Sequence, residues 1–310
     1  MIITMNQEKY DIAKKIRNYS DTAVAKDFEN LKRLKCEPES QRSIAGLKIV
    51  DSATFAERLD TKGQKGGRSF YDVYAERERL ITVPSYKRFF EREKAAAPSR
   101  TDEHIWHELA RLYFSAAASF KPSIARYIYS KYGAKNILDF SAGWGGRLVA
   151  AMSLPDTTYI GIDTNTDLKS GYEKLIEKTK GAAHISRVNM LWQDSATVDY
   201  ANLKYDFVFT SPPYFTIEKY TAMPEYKTLD DFNNNFWFPV LEKVFEGLDK
   251  NGTFALNIPE PMYLDTIKVL GQADFDIPLE KAKRFNKKDG EPNKYQGKTL
   301  YEERIYFWIK

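Results

Sequence analysis

At 310 residues, with 43% hydrophobic and 29% charged residues, the chain has material for one large domain or two ordinary ones around a buried core. No apolar run approaches a membrane span and the opening MIITMNQEKYDIAKK lacks the apolar stretch of a signal peptide, so a cytoplasmic location is expected. One cysteine, Cys36, excludes an intrachain disulfide and a cysteine-based zinc site, while a net charge of +4 leans only weakly toward a polyanionic partner.

Residues 1–118 read as a mainly helical region. Ile12, Ile16, Tyr19 and Ala23 recur at helical spacing, as do Phe28, Leu31 and Leu34, with charged residues between them. Leu47-Lys-Ile-Val50 has the composition of a strand, and Ser69 to Tyr74 reads as a strand or a helix start. Between them the glycine-rich stretch 62–68 carries Lys62, Lys65 and Arg68, a basic loop suited to phosphate. Thr101-Asp-Glu-His104 is a capping signal that opens another helix. His104, His107 and His184 are the only histidines and have no acidic helper at matching spacing, so no metal site is expected.

From residue 119 the pattern changes. Phe120-Lys-Pro122 breaks the preceding helix and Ser123 starts the next. Strand and helix then alternate, which means an α/β fold with a parallel sheet. The predicted strands are 136–140, 158–163, 185–191, the run from Tyr205, 253–258, and two near 275–285 and 304–309. The last two have no helix-length pattern between them and should pair antiparallel.

Chemistry-bearing residues fall where predicted strands end. Ser141-Ala-Gly-Trp-Gly-Gly-Arg147 follows the first strand, and Gly143 and Gly145 give room for a ligand to pass close to the backbone. The spacing is neither GxGxxG nor that of a Walker loop, so a dinucleotide or nucleoside triphosphate is the weaker candidate. Asp163 ends the second strand and suits ribose hydroxyls; Asp194, after the third, suits an exocyclic amine. The fourth strand stops at Ser211-Pro-Pro-Tyr214, because Pro212 and Pro213 cannot donate to a ladder. That turn offers acceptors, the Ser211 hydroxyl and the Pro212 carbonyl, to an NH2 group, with the Tyr214 ring to stack a base lifted from its duplex. A second basic cluster contains Lys281, Lys283, Arg284, Lys287 and Lys288.

Asp139-Phe-Ser-Ala-Gly-Trp-Gly-Gly146, Gly161-Ile-Asp163, Asp194 and Ser211-Pro-Pro-Tyr214 together resemble the S-adenosylmethionine-dependent DNA amino-methyltransferases that modify N4 of cytosine or N6 of adenine. The resemblance covers about residues 119–310. It implies a class I, Rossmann-like, seven-stranded and mostly parallel sheet; because the chain leaves no room for the family's usual target-recognition domain, residues 1–118, the mainly helical region, and the 216–230 loop are expected to take that role. By resemblance, Asp139, Gly143 and Gly145 line the methionine part of the cofactor, with Phe140 and Ser141 beside them. Asp163 with Thr164 would hold the ribose, Asp194 the adenine, and Phe120 and Pro122 would pack alongside. Ser211, Pro212, Pro213 and Tyr214 would receive the target amine. Ser at the first position of that turn leans toward cytosine, and the implied partners are DNA, touched by Lys62, Lys65, Arg68, Lys287 and Lys288, and a cognate restriction enzyme. The alternatives are methylation of an RNA base or a protein glutamine amide, or a non-catalytic nucleic-acid binder of the same fold.

Overall fold

Four parallel crossings and one reversal build the sheet. A computed structural model describes residues 7–62, 67–114, 117–179, 187–213, 224–279, 294–295, 298–299 and 304–310. Its strands are β1 (Asn136–Asp139), β2 (Thr158–Ile162), β3 (Val188–Leu191), β4 (Phe207–Thr210), β5 (Thr253–Ile258) and β6 (Phe275–Pro278), then the short pair β7 (Lys294–Tyr295) and β8 (Lys298–Thr299), and β9 (Arg304–Ile309). Seven of them form one sheet in the order β3-β2-β1-β4-β5-β9-β6, while β7 and β8 pair with each other. The five strands β1 to β5 run parallel; β9 lies antiparallel to β6, as the missing helical pattern between them predicted, and also antiparallel to β5. The architecture is the Rossmann-like, seven-stranded and mostly parallel sheet that the resemblance implied.

Alternation along the strands explains why both faces are covered. Ile137, Phe207 and Phe209 face one layer, while Leu138, Val208 and Phe254 face the other. The second layer is closed by α12 (Phe238–Gly247) and α13 (Glu260–Leu270), with Trp237 wholly buried and its indole N–H donating to Thr266 Oγ1 at 3.1 Å. Before α12 the chain passes through α11 (Leu229–Phe232) and one wide helical turn, Asn233–Trp237. The first layer contains α8 (Pro122–Lys131), α9 (Gly146–Met152) and α10 (Lys169–Lys178), and it also takes in residues from the start of the chain.

That start is helical throughout its described elements: α1 (Gln7–Ile16), α2 (Asp21–Lys32), α3 (Leu47–Arg58), α4 (Phe70–Ala75), α5 (Arg77–Leu80), α6 (Pro84–Ala96) and α7 (Asp102–Tyr113). The strand expected at Leu47–Val50 is instead the first turn of α3. Its cap comes from afar: the Asp27 carboxylate accepts the Lys48 and Ile49 amides at 2.8 and 3.3 Å. Ser69 settles the next segment as helix, because its hydroxyl and the Asp72 carboxylate form a reciprocal capping box. Helix α3 is shared. Ile49, Val50 and Ala53 belong to the core under the sheet, whereas Phe55, Ala56 and Leu59 join a separate cluster with Ile105, Trp106 and Leu109 of α7. Among the described residues no helix is long and apolar enough to cross a membrane.

Candidate active site at the carboxyl rim of the sheet

The strand order reverses between β1 and β4, since the chain winds outward through β2 and β3 and then returns to the other side of β1. In open α/β sheets the crevice beyond the carboxyl ends at such a point is where ligands bind. The loop after β1 and the diproline turn after β4 flank that crevice, because the two strands are hydrogen-bonded neighbours running in the same direction, with Leu138 opposite Val208.

Three glycines shape the loop after β1, each for its own reason. Gly143 and Gly145 have φ of 58° and 83°, a region that costs residues with side chains roughly 1–2 kcal/mol. A Cβ on Gly145 would lie 2.3 Å from Leu175 Cδ1, and one on Gly146 would lie 2.2 Å from the Phe120 carbonyl oxygen. Those two admit the chain's own elements. A Cβ on Gly143 would meet only the Ser141 carbonyl, at 3.8 Å, so beside it the described protein leaves open space that a ligand could fill. Gly146→Ala sets side chain against backbone, which cannot rotate away. It should therefore destabilise the chain by roughly 1–3 kcal/mol, measured by urea unfolding.

Hydroxyls and one guanidinium hold this loop from every side. Ser195 donates to the Phe140 carbonyl, Arg147 to the Ser141 carbonyl, Tyr172 to the Gly143 carbonyl at 2.9 Å, and Thr54 of α3 to the Trp144 carbonyl at 2.9 Å. The Ala142 amide donates to the Ile162 carbonyl at 2.9 Å, and the Gly143 amide to Asp163 Oδ2 at 2.7 Å. The loop is thereby fixed before any ligand arrives.

Two of the residues expected to line the cofactor turn their side chains into the protein. Asp139 is fully buried and saturated: Oδ2 accepts from Arg147 Nε at 2.7 Å and Tyr159 Oη at 2.6 Å, and Oδ1 accepts from Thr210 Oγ1 at 2.8 Å. Its side chain braces the loop from behind. Burial opposes the charge on Arg147, but the adjacent Asp139 carboxylate outweighs it and raises the guanidinium pKa. Phe140 turns its ring into the second core layer, 6.3 Å from the rings of Trp237 and Phe254, so only its backbone serves the loop.

The remaining predicted residues lie around the crevice. Asp163 is half-buried, and Oδ1 also accepts the Asn165 amide at 2.8 Å; burial pushes its pKa up to about 6 against those two bonds. Thr164 and Ser141 are half-buried beside it. Asp194 is half-buried and accepts the Ala196 amide at 2.9 Å. The Phe120 ring packs edge-on against Phe209 at 5.5 Å and under Arg147 at 5.4 Å, while Pro122 is buried at the start of α8. Ser211 and Pro213 are half-buried and Pro212 is buried at the end of β4. Tyr214, Lys65, the cluster from Lys281 to Lys288 and His184 lie outside the described residues. Lys62 is exposed, whereas Arg68 is drawn to Glu76 at 3.1 Å. His107 is buried against Phe55 and Phe70, and among the described residues no cluster could hold a metal ion.

Thr54, Arg147, Tyr159, Tyr172, Ser195 and Thr210 were not singled out from sequence. Thr210 gave a usable signal, a hydroxyl at the end of an otherwise apolar strand, which must find a partner when buried. Tyr159 gave none, since an aromatic residue is ordinary in a strand.

No protein-family profile matches the chain, and no curated protein matches it. Solved structures do. TrmN from Thermus thermophilus is 16% identical, over 61% of this chain and 48% of that one, with a TM-score of 0.42. The glycopeptide N-methyltransferase MtfA is 18% identical, over 44% and 57%, with a TM-score of 0.32. The CcbJ methyltransferase from Streptomyces caelestis is 16% identical, over 52% and 56%, with a TM-score of 0.33. The chain thus spans about half the length of these structures. At such values the fold rests on the sheet topology and the function on the residues at its rim.

Proposed function

We propose that the chain transfers a methyl group from S-adenosylmethionine to the exocyclic amino group of a flipped DNA base, with N4 of cytosine favoured over N6 of adenine. The carrying observation is the bond from Thr210 to Asp139, which fastens the strand ending in Ser211-Pro212-Pro213 to the strand that opens the glycine loop, side by side at the switch point. The open space beside Gly143 and the part-exposed Asp163 carboxylate fit the cofactor, and Asp194 lies at the end of the neighbouring strand to accept from its adenine. Bound there, S-adenosylmethionine would supply an electrophilic methyl group.

The chain's own residues position and polarise. Ser211 Oγ and the Pro212 carbonyl would accept the two amino hydrogens, which draws the nitrogen lone pair out of the ring and toward the donor. No strong base is needed, because the proton can leave to water once the nitrogen has become cationic. Orientation and fixed dipoles supply most of the acceleration. The whole excess of positive charge falls within residues 1–118, with 22 Lys and Arg against 18 Asp and Glu, which supports a part for that region in holding DNA. Exposed Lys62 is the first of its residues to test, with Lys65, Arg68, Lys287 and Lys288 in the same role. A cytoplasmic location and a cognate restriction enzyme belong to the same reading.

Tyr214 separates stacking from hydrogen bonding. Tyr214→Ala should lower turnover on DNA by two orders of magnitude or so, given roughly 1–3 kcal/mol per stacked base together with lost orientation, while Tyr214→Phe keeps most of it. Full activity in both variants would remove the ring from the site. Methyl uptake from labelled cofactor, compared across DNA, RNA and protein, tests the acceptor; label in RNA or in a glutamine amide would replace DNA.

A further inference from the structure

The junction of β1 and β4 is pinned at both ends. At the amino end the Asp206 carboxylate accepts the Lys135 and Asn136 amides at 3.0 and 3.1 Å and the Asn136 side-chain amide at 2.9 Å. At the carboxyl end the only side-chain tie described between the two strands is the Thr210 hydroxyl on Asp139 Oδ1. Both partners are completely buried, so water cannot substitute for either without a cavity. Asp139 passes the connection on, since Arg147 bonds it and the Ser141 carbonyl together, and the Ser141 amide points back at Oδ1 from 3.4 Å. The Thr210 hydroxyl thus ties the strand that leads into the turn at Ser211 to the strand that opens the loop 141–145, in addition to the backbone ladder between them.

We infer that Thr210 is a positioning residue: its hydroxyl, through Asp139 and Arg147, couples the glycine loop to the diproline turn and fixes the distance between them. It touches neither donor nor acceptor. The coupling stands on the geometry alone; its consequence for turnover rests on the methyl-transfer reading. Within that reading, displacement of one turn relative to the other alters the approach of amine to methyl while leaving each ligand's own contacts in place. The signature is a loss in kcat without a loss of cofactor affinity.

Two readouts test it. In the ligand-free protein, amide exchange of Ser141, Ala142 and Gly143 should quicken roughly tenfold in Thr210→Val and stay near wild type in Thr210→Ser, which keeps the donor. Thr158→Val, which removes a comparable bond to Asn136 at the far end of the sheet, is the control and should leave the loop unchanged. Should the valine variant fail to fold, Thr210→Ala is measured in its place. Wild-type exchange in the valine or alanine variant, or equal quickening in valine and serine variants, overturns the coupling.

With tritiated S-adenosylmethionine and plasmid DNA, Thr210→Val should lose about tenfold in kcat while its calorimetric Kd for the cofactor stays within about threefold. Equal losses in both would make Thr210 a support of the donor site and overturn the positioning role. Absence of transfer by the wild-type protein would instead sink the methyl-transfer reading, with the exchange data still deciding the coupling.

Discussion

Arg147→Met is expected to destabilise the chain by roughly 3–5 kcal/mol, because it leaves the Asp139 carboxylate buried without its counter-charge. Arg147 and Asp139 are both enclosed, and the guanidinium Nε lies 2.7 Å from Oδ2. Tyr159 and Thr210 still donate to that carboxylate, yet two hydroxyl dipoles do not neutralise a full charge in a poorly polarisable interior. The double variant Asp139→Asn/Arg147→Met should therefore cost less than the sum of its single changes, by about 1–3 kcal/mol. Urea unfolding midpoints of the four proteins give the comparison. A cost below about 1 kcal/mol for Arg147→Met would mean that water reaches Asp139, contrary to its enclosure. The pair has a cost of its own, and an apolar replacement of similar volume could be as stable. What such a replacement would lack is the link from β4 through β1 to the Ser141 carbonyl.

If Asp163 holds the ribose as proposed, Asp163→Asn should weaken cofactor binding roughly a hundredfold or more, since a neutral acceptor would replace a charged one. The same carboxylate makes binding dependent on pH. Its pKa in the ligand-free protein is pushed up to about 6, so affinity should be flat above pH 6 and fall about tenfold per pH unit below it. In Asp163→Asn that dependence should vanish. The effect on folding has the opposite sign. A carboxyl whose folded pKa is raised contributes stability that is fully present below its unfolded value of 3.8 and is lost as pH rises through about 6. At neutral pH the ligand-free protein therefore holds this charge at a cost, offset in part by the Gly143 and Asn165 amides. Ligand hydroxyls would complete its solvation. Calorimetric titration of the cofactor between pH 5 and 8 checks the first sign and urea unfolding between pH 4 and 8 the second, and affinity that rises on acidification would remove Asp163 from the site.

The sheet was readable because its strands are buried on both faces, which leaves apolar runs bounded by Gly, Pro and Asp. The reversed pair at β6 and β9 followed from the absence of a helical pattern between them. The partners of Asp139 were not legible, because an acid at a strand end looks the same whether it faces a ligand or a buried arginine. Its partners lie at positions 147, 159 and 210, and only the folded sheet brings them together. Phe140 was placed with the loop as part of its motif, although Leu138 and Phe140, two apart, share one face of the sheet. Leu47–Val50 looked like a strand because the residue that caps its helix, Asp27, is 21 positions earlier. Likewise the run from Ile12 to Ala23 crosses a real break, where Ser20 caps a new helix by accepting the Ala23 amide at 3.2 Å.

Thr54 extends the same lesson to the start of the chain. Helix α3 reaches the glycine loop by donating to the Trp144 carbonyl, and Gly171 of α10 lets it come close, since a Cβ there would lie 2.8 Å from the Ala53 carbonyl. Residues before 118 are therefore in contact with the loop proposed to hold the donor, a link that no local pattern announces.

Titration of S-adenosylmethionine into the folded protein, followed by calorimetry, tests most directly whether this rim holds a methyl donor. One-site uptake at pH 7.5 that is strongly weakened by Asp163→Asn is the expected result. No heat from material that unfolds cooperatively, or uptake unaffected by Asp163→Asn, would contradict it.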